Sequence, residues 1–244
     1  MALTEDRIKT LPKMSNQTQA IAGKDTLLFV AVTKDPTEWL LVGGQRNTPL
    51  TRKADSIDAT SKDSGEYSEK IPGMLSWSMS YEGLYILNSD AYAVLDDRFS
   101  KRKPAYIRIE YPDGSFRTGW TSITQLEEDH NYNAVSTAKI TLEGKGAISN
   151  VQSVGTPTVS TDTVTMKKGA AADTNITITP ATAFPRSIKS SDGDTLHQNT
   201  DFTYVEGKLT IKKEYLSGKT TDFSLTVKLT TDIESTVKVT VTTA

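Results

Sequence analysis

The sequence predicts a mainly β protein in which an N-terminal two-sheet β-sandwich or barrel, flanked by one α-helix, precedes a smaller C-terminal β-sandwich. Residues 75–82 alternate between apolar and polar side chains, which is typical of a strand with one buried face. Tyr92, Leu95 and Phe99 are instead spaced like one face of a helix. Beyond about residue 150, threonine, valine and lysine dominate and short strands recur, which indicates a second β domain.

Length and composition limit the classes of function. The 244 residues exceed the usual size of one domain, so two domains are expected. The formal net charge of −2 provides no basic surface for duplex nucleic acid, because such binding neutralises several phosphates at once. The sequence contains no cysteine, which excludes disulfides and thiolate metal sites. It has neither a signal peptide nor a run of about 18 apolar residues, so we expect synthesis and folding in a cytoplasm.

The chain begins with a predicted extended arm, residues 1–24, which is polar and mixed in charge. The first strand is predicted over Thr26–Val32, where a continuous apolar run suits a strand that is covered on both faces. A second strand is predicted over Trp39–Val42, after Pro36.

The single helix is predicted over about residues 89–101, because its spacing and its ends agree. Asn88, Ser89 and Asp90 supply N-cap chemistry. The basic residues Lys101–Lys103 complement the negative end of the helix dipole, and Pro104 follows.

A β-hairpin is predicted after the helix. Ile107, Ile109 and Tyr111 alternate with Arg108 and Glu110, and Pro112-Asp113-Gly114 supplies the backbone preferences of a tight turn before Phe116. The last strand of this domain alternates apolar and polar side chains around Ala138, Ile140 and Leu142.

The domain boundary is predicted at residues 149–156, so that residues 1–150 form one domain and residues 155–244 the other. Strands in the second domain are predicted from short apolar alternations. These centre on Ile176 and Ile178, Leu209 and Ile211, Leu225, Val227 and Leu229, and Val237, Val239 and Val241.

No candidate catalytic, cofactor or metal site emerges from the sequence. His130 and His197 lie in different predicted domains, and Asp192-Gly193-Asp194 lacks the glutamate that a calcium loop needs at its twelfth position, Thr203. The three adjacent acids Glu127–Asp129 offer paired carboxylates for acid–base catalysis, but such a run is typical of a solvated loop. Motifs for nucleophilic, phosphate-binding or zinc chemistry are absent from the sequence, so we expect a protein that is not an enzyme.

The first 150 residues resemble the major tail proteins of phages with long non-contractile tails. The most specific stretch is Leu41–Thr48, continuing through Arg52–Thr60 to Tyr67, Pro72 and Gly73. The resemblance implies a β-sandwich that closes into hexameric rings by pairing of edge strands, and rings that stack into a tube conducting phage DNA without sequence recognition. It also implies a place in the virion tail and other tail proteins as partners, such as the tape measure and terminator proteins.

The C-terminal domain resembles the X2-type immunoglobulin-like module. The residues that carry this resemblance are Asp201–Val205 and Leu209–Leu216. It implies an immunoglobulin-like β-sandwich that decorates the tail, projects outward and attaches weakly to a host cell-wall glycan.

The polar span of residues 43–73 is far longer than loops in compact domains usually are. One interpretation is a flexible surface hairpin; the other is a stacking loop that docks on the next ring. Mixed charges suit the second interpretation, because they give a polar interface with a defined register. The candidate contact residues are Arg46, Arg52, Lys53, Asp55, Asp58, Asp63, Glu66 and Glu69.

Two further functions compete with a phage tail tube subunit. The tube subunit of a phage-tail-like bacteriocin would look the same in sequence. A carbohydrate-binding or adhesive cell-surface protein would instead need an exposed aromatic platform on the C-terminal domain. Trp77 and Trp120 are predicted on buried strand faces, which favours core packing over sugar stacking.

Overall fold

The structure, a computed structural model, describes residues 23, 26–34, 37–86, 89–160, 163–230 and 233–242. Within these residues the protein is mainly β, as predicted, and contains seventeen strands and two helices. The predicted N-terminal arm, residues 1–24, lies outside the described residues except for Gly23. Neither described helix combines the length and the apolar character needed to span a membrane.

Eight strands from the N-terminal part of the chain form one antiparallel sheet. Their bounds are β1 Leu27–Lys34, β2 Thr37–Leu41, β3 Gln45–Asn47, β4 Leu50–Asp58, β5 Lys70–Leu84, β6 Ala105–Glu110, β7 Phe116–Asp129 and β8 Thr137–Gly144. The order is β2-β1-β6-β7-β8-β5, and both β3 and β4 pair with β5.

Strand β7 divides this sheet into two layers. Its residues up to Thr121 pair with β6, whereas its residues from Thr121 onward pair with β8. Layer A therefore consists of β2, β1, β6 and the first half of β7. Layer B consists of the second half of β7, followed by β8, β5, and the pair β3 and β4.

The core of the N-terminal part lies between the two layers. Leu28 and Val30 of layer A and Met79 and Ile140 of layer B belong to one buried cluster. Burial of each such side chain contributes roughly 1.5–3 kcal/mol. Trp77 joins this core, as predicted, and its indole N–H donates to the Gly146 carbonyl at 2.8 Å.

Helix α1, Asp90–Ser100, covers an open side of the sandwich and confirms the predicted helix. The Ser89 hydroxyl accepts a hydrogen bond from the Tyr92 backbone N–H, so Ser89 is the N-cap among the three residues that the sequence offered. Leu95 is buried in the core. The Tyr92 hydroxyl donates to the Glu128 carboxylate at 2.6 Å, tying the helix to β7. Burial and this bond raise the pKa of Tyr92, and the same bond lowers the pKa of Glu128.

The hairpin predicted around residues 112–114 joins β6 to β7. Gly114 has a φ of +78°, a left-handed conformation that glycine adopts without strain. The Asp113 carboxylate accepts a hydrogen bond from the Ser115 backbone N–H at 2.9 Å, which stabilises the turn.

The C-terminal part, residues 158–242, is a sandwich of two sheets. Its elements are β9 Thr158–Val159, β10 Thr163–Lys167, β11 Thr174–Thr179, β12 Pro185–Ser190, β13 Thr195–Leu196, β14 Phe202–Val205, β15 Lys208–Ile211, α2 Lys213–Ser217, β16 Phe223–Leu229 and β17 Glu234–Thr242. One sheet has the order β10-β17-β16-β12-β13 and the other β14-β15-β11-β9. Ile176, Leu209, Leu225 and Val237 are buried, as their alternation predicted.

The C-terminal sandwich packs against the outer face of layer A. Phe29, Ala31 and Phe116 of layer A belong to the same buried cluster as the C-terminal core. The rings of Phe29 and Phe184 meet edge to face with centroids 4.9 Å apart. Both faces of β1 are therefore covered, as its apolar run predicted.

A buried ion cluster lies at the same contact. Glu110 accepts from Arg108 at 2.7 Å and from Arg186 at 3.1 Å, so its carboxylate joins the two parts of the chain. The Arg108 guanidinium also donates to the Thr182 carbonyl at 2.8 Å and stacks over the Phe116 ring. Alternation had assigned Arg108 and Glu110 to the face opposite Ile107, and that face is buried under the C-terminal sandwich.

Two predictions differ from the structure. The segment 43–73, predicted as a long loop, is strand over most of its length, because β4 is exposed on both faces and lacks the apolar alternation that marks a strand in sequence. Trp120 is only half-buried, because it lies on the outer face of layer A beside Tyr106, at a centroid distance of 4.9 Å.

Candidate assembly surface

A long hairpin of β4 and β5 extends from layer B. We call residues 50–75 the β4–β5 arm. Its base is anchored in the body by pairing of Leu50 with Met79 and of Arg52 with Trp77. Further out, the pairs Ser56–Pro72 and Asp58–Lys70 lie where both strands are exposed, so the outer arm is a two-stranded ribbon.

The tip of the arm is closed by local hydrogen bonds. The Ala59 N–H donates to the Glu69 carbonyl at 3.0 Å, and the Thr60 N–H donates to the Asp58 carboxylate at 2.9 Å. The Lys70 ammonium lies 2.6 Å from the same carboxylate. The bonds from Lys70 and Thr60 lower the pKa of Asp58 to about 2.

The eight candidate contact residues are all exposed, and the structure spreads them along the arm and its base. Four lie on β4, two in the turn at the tip, one immediately before β5 and one on β3. In that order they are Arg52, Lys53, Asp55 and Asp58, then Asp63 and Glu66, then Glu69, and finally Arg46. Arg46 lines a separate pocket with Glu82, Glu127, Asp129 and Lys139, away from the tip.

The arm also exposes large apolar side chains that the sequence reasoning did not single out. Met74 and Leu75 are 78% and 77% exposed, and Ile57 and Ile71 are half exposed. An isolated two-stranded ribbon is only marginally stable in water, and clustered exposed apolar side chains mark interaction surfaces. These properties make the arm a candidate interaction surface.

Among the residues that the structure describes, layer B ends in two strands that are paired on one side only. The Ser80 N–H donates to the Pro49 carbonyl, so these two residues form a hydrogen-bonded pair. Hydrogen-bonded and non-hydrogen-bonded pairs alternate along antiparallel strands, so the backbone N–H and C=O groups of Leu50, Arg52 and Ala54 on β4 point away from β5. On the opposite side, pairing between β6 and β7 ends at Thr121, and within the described part of the chain residues 122–129 pair with β8 alone. Layer B therefore has a β4 edge and a β7 edge.

The outward face of layer B is polar. Ser78, Ser80 and Glu82 of β5 lie opposite Glu143, Thr141 and Lys139 of β8. On the other side of β8, the same three residues lie opposite Ser122, Gln125 and Glu127 of β7. Lys139 is 3.3 Å from Glu82. Glu82, Glu127, Asp129 and Glu143 outnumber Lys139 and Arg46 on this part of the face, which therefore carries a net negative charge. None of these side chains is aromatic.

The described residues hold no group of three potential metal ligands. Asp192 and Asp194, considered as a calcium loop, both bind Lys219, at 2.9 and 2.7 Å, and lie in a turn. His130 contacts Glu128 at 3.2 Å, and Glu128 is bonded to Tyr92.

The aromatic residues of the C-terminal sandwich do not form an exposed platform. Phe184, Phe202, Tyr204 and Phe223 are buried, and Tyr215 is partly buried. Tyr204 donates to the Ala183 carbonyl, and burial raises its pKa to about 12. The described part of the sandwich therefore lacks the flat aromatic surface that sugar stacking requires.

Comparison with known proteins identifies two matching families. Residues 20–150 match the family described as "Phage tail tube protein". Residues 158–243 match the family described as "Carbohydrate binding domain X2". A search of curated proteins finds no match.

Solved structures provide a further comparison. The tail of an empty gene transfer agent particle, with C6 symmetry, is 23% identical, covers 53% of this chain and 98% of its own, and has a TM-score of 0.50. The virion of a native gene transfer agent is 22% identical over 55% of this chain and 100% of its own, with a TM-score of 0.49. A tri-modular endo-β-1,4-glucanase from Bacillus licheniformis is 17% identical over 52% of this chain and 35% of its own, with a TM-score of 0.35.

Proposed function

This chain belongs to the phage tail tube protein family, and from that membership we propose that its copies close into hexameric rings that stack into a tube for the passage of phage DNA. It is a structural component of the virion tail. The six-fold symmetry of the gene transfer agent tail, which has the same fold, supports a ring of six.

The observation that carries this proposal is the pair of one-sided strands in layer B. Layer B is four strands wide, in the order β7-β8-β5-β4, so its β4 edge and its β7 edge lie on opposite sides. β4 of one copy can therefore pair with residues 122–129 of the next. A repeated contact of this kind closes when its rotation divides the circle, and a closed barrel has no free edge. Backbone pairing also needs no particular side chains at the seam.

The β4–β5 arm is proposed as the contact between rings. Its charged residues, including Arg52, Lys53, Asp55 and Asp58 on β4 and Asp63, Glu66 and Glu69 near the tip, suit a polar interface with a defined register. Met74 and Leu75 add apolar area that is exposed in the single copy. Arg46, at the base, belongs in this proposal to the contact between neighbours in a ring.

The outward face of layer B is proposed as the lining of the channel. The corresponding face of layer A is covered by the C-terminal sandwich, which leaves layer B as the uncovered side of the body. The acidic side chains repel the phosphate backbone, and the serine and threonine side chains offer no ring on which bases could stack, so DNA passes without being retained. This lining has no means of reading sequence.

Other partners follow from the same function. We propose that the tape measure and terminator proteins contact the tube, and that the C-terminal sandwich contacts a host cell-wall glycan. The match to the X2 family supports the glycan. Because its aromatic side chains are buried, recognition would depend on hydrogen bonds, for example from the polar pocket lined by Asp173, Thr203, Thr210 and Lys212.

Electron microscopy of the purified protein at high concentration tests the function, and a variant of the β4 edge tests the seam. The substitution Ala54→Pro removes an N–H that points away from β5 and so leaves the pairing of β4 with β5 in place. Ala54→Ser retains that N–H and is the matched control. We expect tubes with a regular repeat from the wild type and Ala54→Ser, and folded single copies from Ala54→Pro.

Two outcomes would contradict the proposal. A wild type that remains monomeric under every condition would remove the tube function. Tubes of unchanged diameter from Ala54→Pro would show that the β4 edge is not part of the seam.

A further inference from the structure

The edge of the sheet at β2 differs from the two edges of layer B, because side chains of the C-terminal sandwich cap it. The Thr37 backbone N–H donates to the Glu206 carboxylate at 3.0 Å. The Gln198 side-chain amide donates to the Trp39 carbonyl at 3.0 Å. These residues are 169 and 159 positions apart in sequence, so the caps depend on how the two parts of the chain pack.

The capping residue Glu206 and the residue after Gln198 both adopt left-handed backbone conformations. Glu206 has a φ of +43° in the two-residue turn between β14 and β15, where glycine or asparagine is favoured. Asn199, next to Gln198, has a φ of +68°, and its side chain donates to the Asp90 carboxylate at 2.9 Å. Strained residues persist where surrounding contacts determine them, and here both lie at the contact with the N-terminal part.

The sandwich that carries these caps is fixed in position. The Phe29–Phe184 contact and the Glu110 ion cluster lie on the same side of layer A, one or two strands away from β2. A module tethered by a flexible linker would not share a continuous buried core with its neighbour. The caps therefore remain over the β2 edge instead of exchanging with solvent.

We infer that the C-terminal sandwich acts as an edge shield, which closes the β2 edge and so restricts the N-terminal sheet to pairing with other copies through its β4 and β7 edges. Unprotected edges invite pairing with any other strand, and soluble proteins block them with charges or covering segments. A subunit that polymerises needs its seam edges open and its remaining edge closed. This inference rests on the proposed tube function and assigns to the C-terminal part a role separate from glycan binding.

Amide hydrogen exchange of β2 and β4 tests the shield. In the wild type, we expect assembly to slow exchange in β4, while exchange in β2 is equally slow before and after assembly. In the double variant Glu206→Ala/Gln198→Ala, we expect the Thr37 amide to exchange roughly two- to tenfold faster in the single copy, as for loss of one hydrogen bond. The control Glu214→Ala, an exposed carboxylate on the same sandwich, leaves β2 unchanged.

Microscopy of the same samples gives the second readout. We expect the double variant to form irregular lateral aggregates beside or in place of tubes. Exchange in β2 that slows when the wild type assembles would overturn the inference, because β2 would then lie in the seam. Regular tubes and unchanged β2 exchange from the double variant would overturn it as well. Absence of tubes from the wild type would remove the proposed function, and the single-copy exchange would still decide whether the caps protect β2.

Discussion

Gly144 illustrates how a single position limits packing in the core. A Cβ atom placed there would lie 2.4 Å from the Trp77 indole, far inside van der Waals contact. The indole cannot withdraw easily, because its N–H is bonded to the Gly146 carbonyl.

We therefore expect Gly144→Ala to reduce the free energy of unfolding by about 1–3 kcal/mol, the usual effect of overpacking. The control is Gly218→Ala, where the nearest atom is 3.9 Å away and the backbone is already helical. Denaturant titration should place that variant within about 0.5 kcal/mol of the wild type. Equal stability of the two variants would show that Trp77 moves freely.

Asp58 provides a pH-dependent test of the arm tip. Its pKa of about 2 in the folded protein lies below its ordinary value of 3.8, so its charged form is favoured by folding. The stabilisation is present above the ordinary pKa and is lost as pH falls through about 2. We expect Lys70→Met to return the pKa of Asp58 toward 3.8, as measured by NMR titration of the carboxyl carbon. An unchanged titration would mean that Lys70 and Asp58 are not paired in solution.

At the scale of elements, helix α1 and the β4–β5 arm show why one segment was predictable and the other was not. The helix combined apolar spacing at Leu95 with the cap at Ser89, and both signals were local. The arm residues 50–58 are exposed on both faces, so no apolar period marks β4. Pairing with β5 holds this strand, and such pairing has no signature within a short window of sequence.

The apolar side chains of the arm lead to a prediction about assembly. Because Met74 and Leu75 are largely exposed in the single copy, Met74→Ser/Leu75→Ser should change the free energy of unfolding by less than about 0.5 kcal/mol per residue. We expect the same variant to raise the protein concentration at which tubes appear by at least roughly tenfold, because it removes buried apolar area from the contact. Light scattering and electron microscopy measure this concentration.

The matched control for the arm is Val151→Ser, since Val151 is an exposed apolar residue outside the arm. Assembly of the arm variant at the wild-type concentration would exclude Met74 and Leu75 from the contact between copies.

At the scale of the whole molecule, the two parts of the chain share one apolar cluster and one buried carboxylate. The apolar run from Leu27 to Ala31 indicated that β1 is covered on both faces. It did not indicate which part of the chain covers the outer face. Alternation of Arg108 and Glu110 with apolar residues is typical of a solvent-exposed strand face. Burial of this face could not be predicted, because the partners Thr182 and Arg186 are more than seventy residues away. The composition shift near residue 150 likewise indicated a boundary and gave no sign of the contact across it.

This shared contact predicts the unfolding behaviour of the chain. We expect calorimetry of the single copy to show one transition, because neither part retains its apolar cover when the other unfolds. Glu110→Gln should cost about 3 kcal/mol, since it leaves the buried Arg108 and the partly buried Arg186 without their carboxylate. Glu82→Gln, which removes an exposed pair with Lys139, should cost less than about 1 kcal/mol. Two separate transitions would contradict this coupling.

Strand β5 is fifteen residues long and belongs to two different environments, with its C-terminal half in the core and its N-terminal half in the arm. The side chains at Met79 and Tyr81 thus fix the register of a ribbon whose far end lies roughly 30 Å along the same strand, at about 3.3 Å per residue. A shift of one residue would exchange the two faces of the entire ribbon. Insertions or deletions in this arm therefore preserve its orientation only when they come in pairs on both strands, so its length can change in evolution by discrete steps of about 7 Å.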